Sequence, residues 1–94
     1  MVDPSQMDGT EFQRSVWEQL LAIPHGETRT YKQIAEAIGR PRSSRAVANA
    51  CGANPLPIRV PCHRAVRSDG SLGGYSGEGG IGTKEKLLRE EGVL

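Results

Sequence analysis

Residues 30–51 read Thr30-Tyr31-Lys32-Gln33-Ile34-Ala35-Glu36-Ala37-Ile38-Gly39-Arg40-Pro41-Arg42-Ser43-Ser44-Arg45-Ala46-Val47-Ala48-Asn49-Ala50-Cys51, and this stretch decides the fold. Thr30 and Gln33 stand three apart, the spacing at which a threonine N-cap and a glutamine side chain satisfy each other's backbone N–H groups. A helix opens there, shows one apolar face through Ile34, Ala35 and Ile38, and stops at Gly39. After Arg40-Pro41-Arg42, Ser43 or Ser44 can cap a second helix that runs to Cys51. The pattern predicts a helix-turn-helix. Apart from Arg45, the outward face of the second helix carries small side chains, whereas a helix that reads base edges needs long polar ones. It is suited to close approach on DNA and poorly suited to reading its sequence.

Charge singles out the same region. The whole chain carries +1, yet residues 28–67 hold eight basic side chains (Arg29, Lys32, Arg40, Arg42, Arg45, Arg59, Arg64, Arg67) against the single acid Glu36, a local +7 between acidic ends. A basic segment coincident with a helix-turn-helix points to a polyanion, with DNA first.

Working outward, Thr10 and Gln13 form a second capping box. Phe12, Val16, Leu20, Leu21 and Ile23 keep helical spacing up to Pro24, and Trp17 belongs with that packing face. His25 falls in a solvent-exposed turn. Residues 56–60 read as an extended connector broken by Pro57. Residues 65–72, interrupted by Ser68-Asp69-Gly70, resemble a short hairpin. A mobile loop over Gly73–Gly82 carries Tyr75 and Ser76. A last helix from Thr83 buries Leu87 and Leu88 and ends at Gly92. The fold class expected is mainly α: a small winged-helix-like helix-turn-helix domain with a short β-hairpin, covering 10–94 behind a polar tail over 1–9.

Ninety-four residues make one small domain. The two cysteines, Cys51 and Cys62, make no CxxC pair, and with only His25 and His63 there is no metal-ligand pattern, so no metal and no cofactor is expected. The pattern predicts a soluble monomer of the cytoplasm, nucleoid-associated, or nuclear in a eukaryotic cell, with no membrane contact.

The chemistry sits in Pro61-Cys62-His63-Arg64, with Asn54-Pro55 eight residues upstream of the cysteine. A thiol in a restrained turn beside a titratable base suits a nucleophile, because the thiolate is the reactive form. Cys51 lacks that setting and reads as a small core residue. Tyr31-Lys32-Gln33-Ile34-Ala35, Arg45-Ala46-Val47, Asn54-Pro55, Pro61-Cys62-His63-Arg64 and Gly74-Tyr75-Ser76-Gly77, closed by Lys84-Glu85 and Leu87-Leu88, together resemble the active-site domain of the O6-alkylguanine-DNA alkyltransferases. The resemblance runs from about Thr10 to Gly92.

That resemblance implies a reaction and its parts. Members bind duplex DNA through the minor groove, rotate the damaged guanine out, and accept its O6-alkyl group once and irreversibly on cysteine. Extrusion is needed because a protein nucleophile cannot reach O6 inside the stack. By resemblance Cys62 is the acceptor, and His63, reached through a water and oriented by Glu91 (with Glu90 as rival), is its activating base. Activation of this kind would put the thiol below its free value of about 8.5. Asn54 braces the turn, and Tyr31 presses on the target phosphate and helps protonate the departing guanine. Arg45 is the finger that fills the vacated space. Tyr31, Lys32, Gln13, Arg40, Ala46 and Ser68 join it at the DNA. Tyr75, Ser76, Cys62 and Ala65 surround the base, with the Ser76 amide helping to stabilise developing charge. The amino-terminal domain usual in the family is missing from this pattern, which also leaves open the small alkyltransferase-like proteins. Those have tryptophan in place of Cys62, bind the lesion without repairing it, and recruit other repair proteins. A transcription regulator with a sensing cysteine is a third reading, disfavoured by the small-residue helix.

Overall fold

The computed structural model describes residues 3, 6–56, 59–69, 71–73 and 79–94. Helix α1 spans Glu11–Leu21, α2 spans Tyr31–Ala37, α3 spans Ser44–Gly52 and α4 spans Gly80–Glu90. Strand β1 is Arg29–Thr30 and β2 is Ala65–Val66; a 3-10 turn, Cys62–Arg64, leads directly into β2.

Both capping boxes form. Thr10 Oγ1 accepts from Gln13 N at 3.0 Å while Gln13 Oε1 accepts from Thr10 N at 2.8 Å. Thr30 and Gln33 repeat the exchange at 3.0 and 2.9 Å. Helix α2 ends as Gly39 predicts: with φ at 76° it lets Arg40 N reach back to Ala35 O at 2.9 Å. The α3 start differs in one respect from expectation. Ser43 takes the N-cap position, but its hydroxyl makes no capping bond; its carbonyl accepts the first intrahelical bond, from Val47 N at 2.9 Å.

Helix α3 lies against both α1 and α2, so the helix-turn-helix is backed by α1. Val16, Trp17, Leu20 and Ile23 meet Ile34, Ala35, Val47 and Ala50 in one core. Trp17 is 1% exposed, and its indole N–H donates to Ala50 O at 2.8 Å, which satisfies the polar handle of an otherwise apolar anchor. Packing starts before Thr10, since Met7 is buried in the same core and Gly9 lies directly against the Trp17 ring.

Three expectations are corrected. Residues 65–72 do not form a hairpin: β2 pairs parallel with β1, Arg29 beside Ala65 and Thr30 beside Val66. The tight turn is present, closed by Arg67 N to Ser71 O and by Asp69 Oδ1 accepting from Ser71 N, but a distant segment supplies the strand partner. The two ends of the expected connector are drawn together, Val60 N donating to Leu56 O at 2.9 Å, which a fully extended 56–60 would not allow; Pro57 and Ile58 lie outside the described residues. Helix α4 begins at Gly80, not Thr83. Gly79, at φ 85°, turns the chain into it, and the Thr83 side chain packs where a Cβ on residue 79 would stand. Among the described residues no helix is long and apolar enough to cross a membrane.

Candidate active site

The turn that carries Cys62 is built from short-range bonds and one side chain. Cys62 N donates to Val60 O at 2.8 Å and Arg64 N to Pro61 O at 3.0 Å. Just beyond the end of α3, buried Asn54 donates through Nδ2 to Val60 O at 2.8 Å and accepts from Leu56 N at 3.0 Å. One amide therefore ties both ends of the 56–60 segment and holds Pro61-Cys62 against α3. Cys62 itself is 4% exposed. Burial pushes its thiol up, against a smaller downward pull from the Asn54 side chain and Lys84. This reverses the depressed value expected from sequence: a nearly dry site disfavours the thiolate until a base or a charge is supplied. Cys51 is buried core, as expected, and burial holds its thiol at about 12.

The residue after Cys62 is a histidine. His63 is 1% exposed and its Nε2 lies 2.7 Å from Glu91 Oε2. Glu91, not Glu90, is therefore the partner, and the local fold explains why. It is the C-cap of α4, fixed by Gly92 at φ 81° and by Val93 N reaching Leu88 O at 3.0 Å. Glu90 is exposed. Hydrogen bonds from Arg64 hold the Glu91 carboxyl at about 2, against burial and with help from His63. An ionised carboxylate only accepts, so Nε2 carries a hydrogen, and in the neutral tautomer this leaves the lone pair on Nδ1. Nδ1 is buried and has no hydrogen-bond partner among the described residues. The ring thus stands one residue from the buried Cys62 thiol in the chain.

Tyr31 is placed by the Thr30 capping box as the first residue of α2. Its hydroxyl rests against Gly73, whose φ of 75° and missing Cβ allow a backbone approach that any side chain would block. Burial pushes the phenol up to about 12, so it is a donor at neutral pH. Sequence reasoning gave its neighbour Lys84 no role. Lys84 is fully buried, donates to Ala65 O at 2.7 Å, and lies 3.5 Å from the Tyr31 hydroxyl. Burial lowers its ammonium to about 8. The overlooked signal was spacing: Lys84 precedes Leu88 by one helical turn, on the apolar face of α4.

The outer face holds the other predicted positions. Arg45, Ala46, Lys32 and Arg40 are exposed. An open cleft of about 420 Å³ is lined by Tyr31, Ser44, Arg45, Ala48, Arg67 and Ser68, so Tyr31 and Arg45 share one concavity with Ser68. Ala65 is buried beside Lys84. Gln13 Oε1 is occupied by the α1 capping box. Arg64 leaves the basic surface and pairs inward with Glu91. Tyr75 and Ser76 lie outside the described residues. Among the described residues no three His, Cys, Asp or Glu side chains converge as metal ligands would.

Residues 11–93 match the family described as 6-O-methylguanine DNA methyltransferase, DNA binding domain. The methylated-DNA–protein-cysteine methyltransferase of Methanosarcina barkeri is 55% identical over 89% of this chain and 52% of its own. The chain thus spans about half the length of such curated relatives. The crystal structure of Mycobacterium tuberculosis OGT in complex with DNA superposes with a TM-score of 0.85 at 52% identity, covering 89% of this chain and 50% of that one. The Schizosaccharomyces pombe protein Atl1, in complex with damaged DNA containing O6-carboxymethylguanine, gives 0.81 at 32% identity over 94% and 82%. The chain belongs to the 6-O-methylguanine DNA methyltransferase family and corresponds to its DNA-binding domain.

Proposed function

We propose that this chain binds duplex DNA carrying O6-alkylguanine, takes the damaged base out of the stack, and transfers the alkyl group to Cys62. The observation that carries the reading is the His63–Glu91 contact of 2.7 Å, which leaves Nδ1 of the residue after Cys62 buried and without a hydrogen-bond partner among the described residues. The small exposed face of α3 admits the DNA backbone closely at the minor groove. Arg45, on the rim of the cleft, fills the space the guanine leaves, and Arg40 and Lys32 contact phosphates.

In the reaction the Cys62 proton passes to His63 Nδ1, by way of a water as the resemblance implies. The sulfur attacks the alkyl carbon; an S–C bond forms as the C–O6 bond breaks, and the electron pair stays on the guanine. Tyr31, neutral at physiological pH, donates its proton to that departing base. Lys84, at the other side of the same hydroxyl, steadies the phenolate that remains. Hydrogen bonds that strengthen as charge develops lower the barrier. The product is a thioether and a repaired guanine. No side chain at the site can cleave that thioether, so each molecule reacts once.

A second reading, lesion binding without transfer and recruitment of other repair proteins, is favoured by one observation. The match to Atl1 covers most of that protein as well as most of this one. Intact mass measurement after incubation with an O6-methylguanine duplex separates the two. One added methyl group, mapped to Cys62, supports transfer; tight binding with unchanged mass supports the second reading.

A further inference from the structure

Arg64 is the charged residue of the Pro61-Cys62-His63-Arg64 block to which the reaction above gives no task. The charge count groups it with the DNA-facing cations, yet its side chain is 15% exposed and points inward. Its Nε donates to Glu91 Oε1 at 2.8 Å, its Nη2 to Glu91 Oε2 at 3.0 Å, and its Nη1 to Ile23 O at 2.9 Å. One guanidinium thus joins the Cys62 turn, the residues just after α1 and the C-cap of α4.

Glu91 Oε2 receives both Arg64 Nη2 and His63 Nε2. A carboxyl group held by an imidazole alone has two freedoms. It can turn either oxygen to the ring, and it can take up a proton and donate to Nε2 instead of accepting from it. A planar fork on both oxygens removes the first freedom by geometry and the second by charge. With Glu91 limited to accepting, the neutral ring keeps its hydrogen on Nε2 and its lone pair on Nδ1. A lysine in the same place would supply charge without the fork.

We propose that Arg64 is a positioning residue for alkyl transfer: its two-pronged hold on Glu91 fixes His63 in the tautomer whose Nδ1 can take the Cys62 proton. This rests on the alkyl-transfer reading above. The bland alternative is that Arg64 only clamps three segments together, in which case its loss lowers stability and leaves the histidine tautomer as it was.

Nitrogen-15 NMR of histidine-labelled protein, without DNA, reads the tautomer directly. His25, exposed in its turn, serves as the internal reference. The wild type is expected to show His63 as a single Nε2–H form, and Arg64→Ala a mixture. Single-turnover transfer from an O6-methylguanine duplex should then fall about 10- to 100-fold, the range for losing an outer partner of a working histidine, with duplex affinity unchanged. Arg64→Lys should fall between the two. If Arg64→Ala fails to fold, Arg64→Lys carries the test. A folded variant that keeps the pure Nε2–H form overturns the proposal, as does an unchanged transfer rate in a variant whose tautomer has shifted. A wild-type protein that transfers nothing sinks the alkyl-transfer reading instead, and the tautomer spectra still judge what Arg64 does to His63.

Discussion

Glu91→Gln isolates the electrostatic part of the His63–Glu91–Arg64 cluster, since the amide has nearly the same shape and no charge. The Glu91 carboxyl is held at about 2 against an ordinary value of 4.5, which corresponds to about 3 kcal/mol in favour of the folded state. Its edge meets solvent, so about 1–2 kcal/mol is the figure to expect after screening. The sign follows from proton uptake. A carboxyl whose value is depressed by folding stabilises the protein above pH 4.5, and that contribution drains away as pH falls from 4.5 toward 2. Glutamine has nothing to titrate. The stability gap between wild type and variant should therefore be full at pH 6–7 and shrink by about half at pH 3. Urea unfolding followed by fluorescence measures it, because Trp17 is the sole tryptophan and is 1% exposed. Glu90→Gln serves as the control and should show no gap. A gap that stays constant from pH 3 to 7, or widens toward acid, would refute an ionised Glu91 clasped by Arg64.

Four further outcomes are expected. Asn54→Ala removes one of the two donors to the Val60 carbonyl, which Cys62 N still engages, and takes the acceptor from the Leu56 N–H; it should lose about 1–3 kcal/mol, read as a lowered melting temperature. Lys84 is held near 8 instead of 10.5, so the unfolded chain binds its proton more tightly. The raised Cys51, Cys62 and Tyr31 lower the stability of any variant in this range, so the Lys84 contribution is read as a difference: between pH 8 and 10.5 wild type should gain up to about 3 kcal/mol relative to Lys84→Met in urea titrations. Gly73→Ala sets a Cβ 2.8 Å from the Tyr31 hydroxyl in a left-handed backbone, which should slow single-turnover transfer while leaving duplex binding intact. Arg45→Ala should weaken binding to a lesion-bearing duplex more than to an undamaged one, whereas Arg40→Ala should weaken both alike and flatten the salt dependence; equal losses would make Arg45 another phosphate contact.

What could be read in the sequence was whatever is decided within one turn of chain. The boxes at Thr10 and Thr30, the stops at Gly39 and Gly92, and the Cys62-His63 pair are of this kind. Counting back from Gly92 selects Glu91 because a helix cap is itself a local structure. The misses are long-range. Nothing near Ala65 announces that its strand partner is Arg29, and turn chemistry at Ser68-Asp69 argued for the nearer neighbour. Arg64 looked like surface charge because its acid lies 27 positions away. Lys84 looked like an ordinary helix lysine until the Tyr31 hydroxyl and the Ala65 carbonyl stood over it. The thiol went the same way, since its dryness is made by segments distant in sequence, and no dipeptide records that.

The parallel pairing of Arg29 with Ala65 and Thr30 with Val66 works as a caliper. One jaw ends at Thr30, and the next residue is Tyr31; the other begins at Ala65, three residues after Cys62. Two rungs gauge the gap between phenol and sulfur. A slip of one rung would shift one jaw by about 3.3 Å and turn its side chains to the opposite face. The region is therefore expected to accept changes of side chain on the rim more readily than any change of chain length between Thr30 and Tyr31 or between Cys62 and Ala65. Single-residue insertions at those two joints, compared with insertions after Ser71, would measure how fine the gauge is.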